Sequence, residues 1–495
     1  MDALPSFELP SGWAIALLDD LISDIEAGKN VAAIGRPPQD GETGIVKVSA
    51  VTWGEFDEDE SKTLYPGTKI NQSDLICAGD FLISRANTRE LVGAPVIVKQ
   101  FRRRLVLSDK VLRLCVVKGF DRWLELFLKS HFGRTQIEHS ATGAQLSMRN
   151  ISQSNLRLIY VPVAPPNEQA RIVAAVSALF EEIEAGEAAL ARARENLTQF
   201  RASLLHAACT GSLTADWRAA NPSNQTAREL LLDIATWRTK RGLKPISTPI
   251  TCNQAAPPRL PPGWTWASLP QLGEFGRGKS KHRPRDDARL YGEAVPFIQT
   301  GEVSRSRGLI NSWTKMYSDF GISQSKIWPA GTVCITIAAN IAASGILAFD
   351  ACFPDSVVGL ITPNPAVSRY VELFIQTARA NLSAYAPATA QKNINLDILN
   401  SIAVPLPPLS EIQAIVETVE ALEQEAFQPL SQVSDTVALR QSVLHAAFTG
   451  RLVPQDPADE PAETLLARLR VSPTPASARR RRGGATQPDL IETKA

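Results

Sequence analysis

Gly273-Glu274-Phe275-Gly276-Arg277-Gly278-Lys279-Ser280 fits the spacing GxxxxGK[ST], in which backbone amides and a lysine cradle the phosphates of a nucleotide. The segment Ile346-Leu347-Ala348-Phe349-Asp350 would then be the acidic strand that assists magnesium. That chemistry requires a buried strand before the loop and a helix opening at its end. Trp264 to Leu272 contains Pro270 and no sustained apolar run, and Pro284 with the surrounding cations opposes a helix at Lys279. A P-loop NTPase is therefore the weakest reading. The same stretch reads better as a cationic loop, because Arg277, Lys279, Lys281, Arg283 and Arg285 place five positive charges within nine residues among glycine and proline. Such a loop either meets phosphates or is simply solvated.

Reading bases requires forked or amide side chains beside elements that reach a groove. Arg85, Asn87, Arg89, Gln299 and Asn340 lie next to repeated strand and glycine signals, and Lys47 and Gln299 fall opposite each other in the two halves described below. Arg102 to Arg104 form a second basic cluster, for which a solvated surface is the plain alternative. The five histidines, His131, His139, His206, His282 and His445, show no metal-ligand spacing, and the six cysteines show no Cys-x-x-Cys pair. No metal site is expected. Phrases that would carry adenine methylation, nuclease chemistry or a serine nucleophile elbow are missing, so catalysis is not assigned to this chain.

These residues sit in a chain of 495, too long for one core, with 52 Lys plus Arg against 51 Asp plus Glu. Near neutrality excludes a simple polycationic coat, so any DNA contact must be local. Neither a secretory signal nor a membrane-spanning run is read, and cytoplasmic residence is expected.

The elements that must position the candidates are written twice. Leu9-Pro10-Ser11-Gly12-Trp13 returns as Leu260-Pro261-Pro262-Gly263-Trp264. Ile76-Cys77-Ala78-Gly79-Asp80-Phe81-Leu82-Ile83 aligns with Trp328-Pro329-Ala330-Gly331-Thr332-Val333-Cys334-Ile335, each a strand entered through a glycine turn. Val161 to Glu168 aligns with Val404 to Glu411, and Leu205-His206-Ala207-Ala208-Cys209-Thr210-Gly211 with Leu444-His445-Ala446-Ala447-Phe448-Thr449-Gly450. The last two pairs bracket two helices, each closed by glycine.

Along the first helix Ile172, Val176, Leu179, Ile183, Gly186, Leu190, Ala193, Leu197, Phe200 and Leu204 step by threes and fours, which predicts an apolar seam along a rod of roughly 38 residues, about 57 Å. The second helix carries Ile415, Val419, Leu422, Val433, Val437 and Leu444, and Pro429 should bend or interrupt it. A proline-rich connector from Asn221 to Pro262 holds one short helix near Ala227 to Arg238, and the tail with Arg479 to Arg482 reads as disordered. On the seam alone, a spacer and a scaffold that only dimerises or binds protein are both open.

The ordered duplication resembles the specificity subunits of type I restriction-modification systems. The residues that carry the resemblance are Gly12-Trp13, Gly263-Trp264, Gly79-Asp80, Gln391-Lys392-Asn393-Ile394, Pro165-Pro166-Asn167-Glu168-Gln169, Pro407-Pro408-Leu409-Ser410-Glu411 and the two Leu-His-Ala-Ala-x-Thr-Gly helix ends. Ser147-Met148-Arg149-Asn150-Ile151 stands in the first half where the second has Gln391-Lys392-Asn393-Ile394, and Thr332 stands opposite Asp80.

The resemblance implies an α+β fold with a pseudo-twofold internal repeat: two similar α/β target-recognition domains, residues 1–161 and 260–403, separated by two long antiparallel coiled-coil helices in spacers 162–218 and 404–456. A linker with a short helix occupies 219–259, and a C-terminal helix and basic tail occupy 457–495. It implies a non-catalytic chain whose domains each read one half of a bipartite double-stranded DNA site. The candidate contacts are Lys47, Arg85, Asn87, Arg89, Lys279, Lys281, Arg283, Arg285, Gln299, Asn340, Gln391 and Lys392. The helices would set the gap and dock two methyltransferase subunits through Ile172, Val176, Leu179, Ile183, Leu190, Leu197, Leu204, Ile415, Val419, Leu422, Val433 and Leu444. No cofactor is expected in this chain. S-adenosylmethionine, ATP and magnesium would belong to the methyltransferase and motor-nuclease partners.

Overall fold

The computed structural model describes residues 9–52, 54–143, 148–222, 225–246, 259–306, 308–337, 343–384, 396–428 and 435–471. The candidates Asn340, Gln391, Lys392 and Val433, the proline at 429 and the arginine-rich tail lie outside them. The chain divides into two compact units, one formed by Met1–Ala189 with Ser434–Ala495, the other by Leu190–Val433. Both are mixed helix and sheet.

In the first unit Gly12, at φ +83°, turns the chain into the strand Ala14–Leu17, which pairs antiparallel with Tyr160–Val163. In the second unit Gly263, at the same φ, leads into Thr265–Ser268, paired antiparallel with Ala403–Leu406. Proline is tolerated in both ribbons because neither has a third strand to receive its missing N–H. A buried aromatic clamps each ribbon at that proline: Trp123 Nε1 donates to the Pro162 carbonyl at 2.9 Å, and the Tyr370 hydroxyl donates to the Pro405 carbonyl.

The repeated Trp and Glu phrases meet in space. In the second unit Trp264 Nε1 donates to Glu411 at 2.9 Å, Thr214 donates to the same carboxylate at 2.7 Å, and Arg218 pairs with it at 2.8 Å. In the first unit the matching pair is Trp13 and Glu168. Val453 stands in the sequence where the other half has Thr214. Burial pushes the Glu168 carboxyl above its ordinary value, partly opposed by Trp13, while Trp13 Nε1 and one Glu168 oxygen are buried without a close hydrogen-bond partner.

Beyond these ribbons the sheets share a plan and differ at their edges. The first unit holds two four-stranded sheets, ordered Ile22–Ala27, Val111–Val116, Phe81–Ser84, Pro95–Ile97 and Ala33–Ile34, Ser61–Leu64, Thr43–Val46, Arg104–Val106. The second holds a five-stranded sheet, ordered Glu274–Arg277, Val357–Ile361, Val333–Thr336, Ser344–Leu347, Gly308–Ile310, and a four-stranded one built around Tyr291–Phe297. Phe81–Ser84 and Val333–Thr336, the strands expected after the repeated glycines, are central and fully buried.

The long helix Pro166–Thr210 has 45 residues, about 68 Å of rise, longer than the expected rod. Its seam is buried at the ends, at Ile172, Val176 and Leu204, and half-buried at Leu179, Ile183, Leu190 and Leu197. Phe200, expected in that seam, is 40% exposed, and Val437 on the helix Thr436–Phe448 is 67% exposed. Ile415 and Val419, on the helix Leu409–Phe427, and Leu444 are buried, and Leu422 is half-buried.

The connector and terminal helices play matching parts. Ala227, opening Ala227–Lys240, donates its N–H to the Gly263 carbonyl at 2.9 Å, and Ala462, opening Ala462–Val471, donates to the Gly12 carbonyl at 2.9 Å. A Cβ on Gly211 would lie 2.6 Å from Pro261 Cγ, and one on Gly450 would lie 2.2 Å from Pro10 Cγ, so both helix-ending glycines are required by contact as well as by their positive φ. Among the described residues, no helix is long and apolar enough to cross a membrane.

Candidate nucleic-acid interface

In the first unit most candidate cations are already engaged. Lys47 precedes a short 3-10 turn, and its Nζ lies 3.3 Å from Glu60. Asn87 sits on a two-residue strand paired with Arg149, where its Nδ2 donates to Thr52 at 3.1 Å and its Oδ1 accepts the Thr88 N–H at 2.8 Å. Arg89 pairs with Glu138 at 3.0 Å. Arg85 is half-buried, with Nη1 3.5 Å from the Asp109 carbonyl and Nε buried without a partner.

The basic cluster faces an acidic loop. The Arg102 and Arg103 N–H groups both donate to Glu58 at 2.8 Å, Arg103 Nε donates to Asp59 at 3.0 Å, and Lys99 pairs with Glu55 at 3.0 Å. The charges of Arg103 and Lys99 are thus paired within the unit, while Arg102 meets Glu58 through its backbone N–H.

The second unit is different. Glu274–Arg277, the middle of the phosphate-loop pattern, is a strand paired with Val357–Ile361. No helix follows at Lys279, so its amides form no phosphate cradle and the NTPase reading falls on geometry. Gly278 then passes so close to the Phe353 and Pro354 carbonyls, 2.3 and 2.4 Å from an added Cβ, that only glycine fits. Lys279 and Lys281 are exposed beyond it and have no ion-pair partner among the described residues. Arg283 folds its guanidinium onto the His282 carbonyl at 2.8 Å, and Arg285 pairs with Asp355 at 2.8 Å while both remain about half exposed. Asp287, held well below the usual carboxylate range by Arg289 first and then by His282, braces the loop base.

Gln299 precedes the helix Thr300–Arg305, its N–H donating to Glu302 at 3.1 Å. With Arg285 it lines a cavity of about 340 Å³ whose other walls include Tyr291, Lys315 and Tyr317. The strand Lys315–Tyr317 alternates faces, which puts Lys315 and Tyr317 on one side, and Tyr317 pairs across to Tyr291. Sequence reasoning missed these three. Period-two alternation in Lys315-Met316-Tyr317 was the available signal, but a three-residue strand is too short to announce itself.

The arrangement is two sheet-and-helix units that share one long helix, the second bearing exposed cations on a surface loop. Comparison with known proteins shows what it is similar to. Residues 261–434 match the Type I restriction modification DNA specificity domain. Over 469 residues the chain is 23% identical to the Type I restriction enzyme EcoKI specificity subunit of Escherichia coli K12, covering 92% of each protein. It is 29% identical over 206 residues to the EcoEI specificity subunit of Escherichia coli, which covers 41% of this chain and 34% of that protein. The fold is similar to that of the HsdS subunit from Thermoanaerobacter tengcongensis, with TM-score 0.51 and 18% identity over 90% of this chain and 99% of that one. Similarity to type I restriction enzyme specificity subunits thus extends over most of the chain.

Proposed function

We propose that each unit reads one half of a bipartite duplex site and that the helices fix the unspecified gap between the halves. The carrying observation is that the same anchor, a Gly-Trp turn, a proline-bearing ribbon and a buried glutamate, recurs in two units whose principal sheets share strand order and pairing sense. One frame built twice on one chain suits two readers, each facing its own half-site. The long helix contributes its first part to one unit and its remainder to the other, which supports a spacer role and the antiparallel, pseudo-twofold arrangement. Target-recognition domains at 1–161 and 260–403 remain our assignment.

Binding rests first on phosphate neutralisation by Lys279, Lys281, Arg283 and Arg285 and then on base contacts that include Gln299. Half-buried seam residues such as Leu190 and Leu197 are the surfaces assigned to two methyltransferase subunits. Those subunits would supply S-adenosylmethionine chemistry, and motor-nuclease subunits would bring ATP and magnesium, in the cytoplasm.

The test is to insert one heptad into the long helix and one into its counterpart, Leu409–Phe427, in the chain assembled with its methyltransferase subunits. We expect the gap to lengthen while both half-sites stay the same. An unchanged gap contradicts the spacer role.

A further inference from the structure

The cavity that joins Arg285 and Gln299 has a composition that a flat duplex contact does not need. Phe297 and Tyr317 stack at 4.0 Å between ring centroids, tilted by 14°, and Tyr291 stands 5.8 Å from Tyr317 at 58°. Tyr291 is fixed by its hydroxyl, which donates to the Arg285 carbonyl at 2.7 Å. The Ser280 and Tyr317 hydroxyls lie 3.4 Å apart. Lys315 Nζ sits 4.8 Å from the Tyr291 ring centroid and has no ion-pair partner among the described residues. Asp286 also lines the space, and Arg285 reaches it from its pair with Asp355. The Phe297–Tyr317 stack is buried core that backs the half-buried Tyr291. A tyrosine ring, an ammonium without an ion-pair partner, hydroxyls and an amide around about 340 Å³ are groups that hold an aromatic base and its phosphate.

We propose that this cavity receives a single nucleotide, its base against the half-buried Tyr291 and its phosphate against Lys315 and Arg285. The inference rests on the DNA-reading assignment of this unit, under which the nucleotide leaves the stack of the half-site. A free nucleotide offers the same chemistry, and the experiment separates the two sources.

The chain is assembled with its methyltransferase subunits and bound to duplexes carrying its mapped site, with each base pair of the second unit's half-site replaced in turn by a mismatch. Extruding an already unpaired nucleotide is easier, so at one position other than the modified adenine a mismatch should tighten binding about tenfold or more. Lys315→Met, an exposed position where folding is not at stake, should abolish that gain, and Tyr291→Leu should do the same. In a second arm each of the four deoxynucleoside 5′-monophosphates is titrated into the full chain by calorimetry. Saturable binding lost in Lys315→Met supports the nucleotide site with a free nucleotide as its source. No tightening mismatch and no mononucleotide binding overturn the proposal. Absence of any site-specific DNA binding sinks the DNA-reading assignment instead, and the mononucleotide arm then still decides the cavity.

Discussion

Whether a lysine contributes to DNA binding depends on what it holds in the free protein. Lys279 and Lys281 are exposed and unpaired among the described residues, whereas Lys47 lies against Glu60. We therefore expect Lys279→Ala and Lys281→Ala each to weaken duplex binding across all sequences and to lower the slope of log affinity against log salt by about one. Lys47→Ala should leave that slope unchanged. Equal effects at all three positions would show that the Glu60 pair opens on DNA.

Glu168 gives a residue-scale prediction of another kind. Its folded-state pKa is raised, by burial first, so folding favours the protonated carboxyl relative to the unfolded chain. Stability from this group is fully present below the unfolded value of about 4.3 and is lost as pH rises through the folded value. Glu168→Gln should raise the melting temperature of the chain at pH 8 more than at pH 4. A gain that is the same at both pH values contradicts the burial account. The matching Glu411 has an arginine and an indole N–H beside it. The sequence shows two glutamates closing aligned proline-rich phrases, and their different environments come from residues far away in the chain.

At the scale of elements, the terminal helix Ala462–Val471 does for the first unit what the connector helix Ala227–Lys240 does for the second. Leu466 is buried in the first unit's core, and Arg470 reaches Asp20 at 3.1 Å. Leu466→Ala should destabilise by about 2–4 kcal/mol through lost transfer energy and the cavity left behind, measurable by urea unfolding. An effect under about 0.5 kcal/mol would mean that this helix is only loosely seated. Elements with strong local signals were legible: the helices, the glycine-entered strands and the connector helix. The seam was legible near its ends and failed at Phe200 and Val437, where a three-and-four spacing marks an apolar position without showing that a neighbour covers it. The cavity was not legible, since Tyr291 and Lys315 meet only through strand pairing between short, unpatterned segments.

At the scale of the whole molecule, duplication was the clearest message in the chain, because four phrases recur in one order. It pointed to the frame of the units and left the readers themselves undetermined, since aligned candidate positions such as Lys47 and Gln299 carry different side chains in the two halves. The most direct test of the central claim is to express the chain with its methyltransferase subunits and map modified adenines across the host genome, with and without this chain. We predict a split motif of two defined half-sites with a fixed gap, present only when the chain is expressed. Methylation that is active but shows no motif dependent on this chain would contradict the account and favour a scaffold whose two units bind protein.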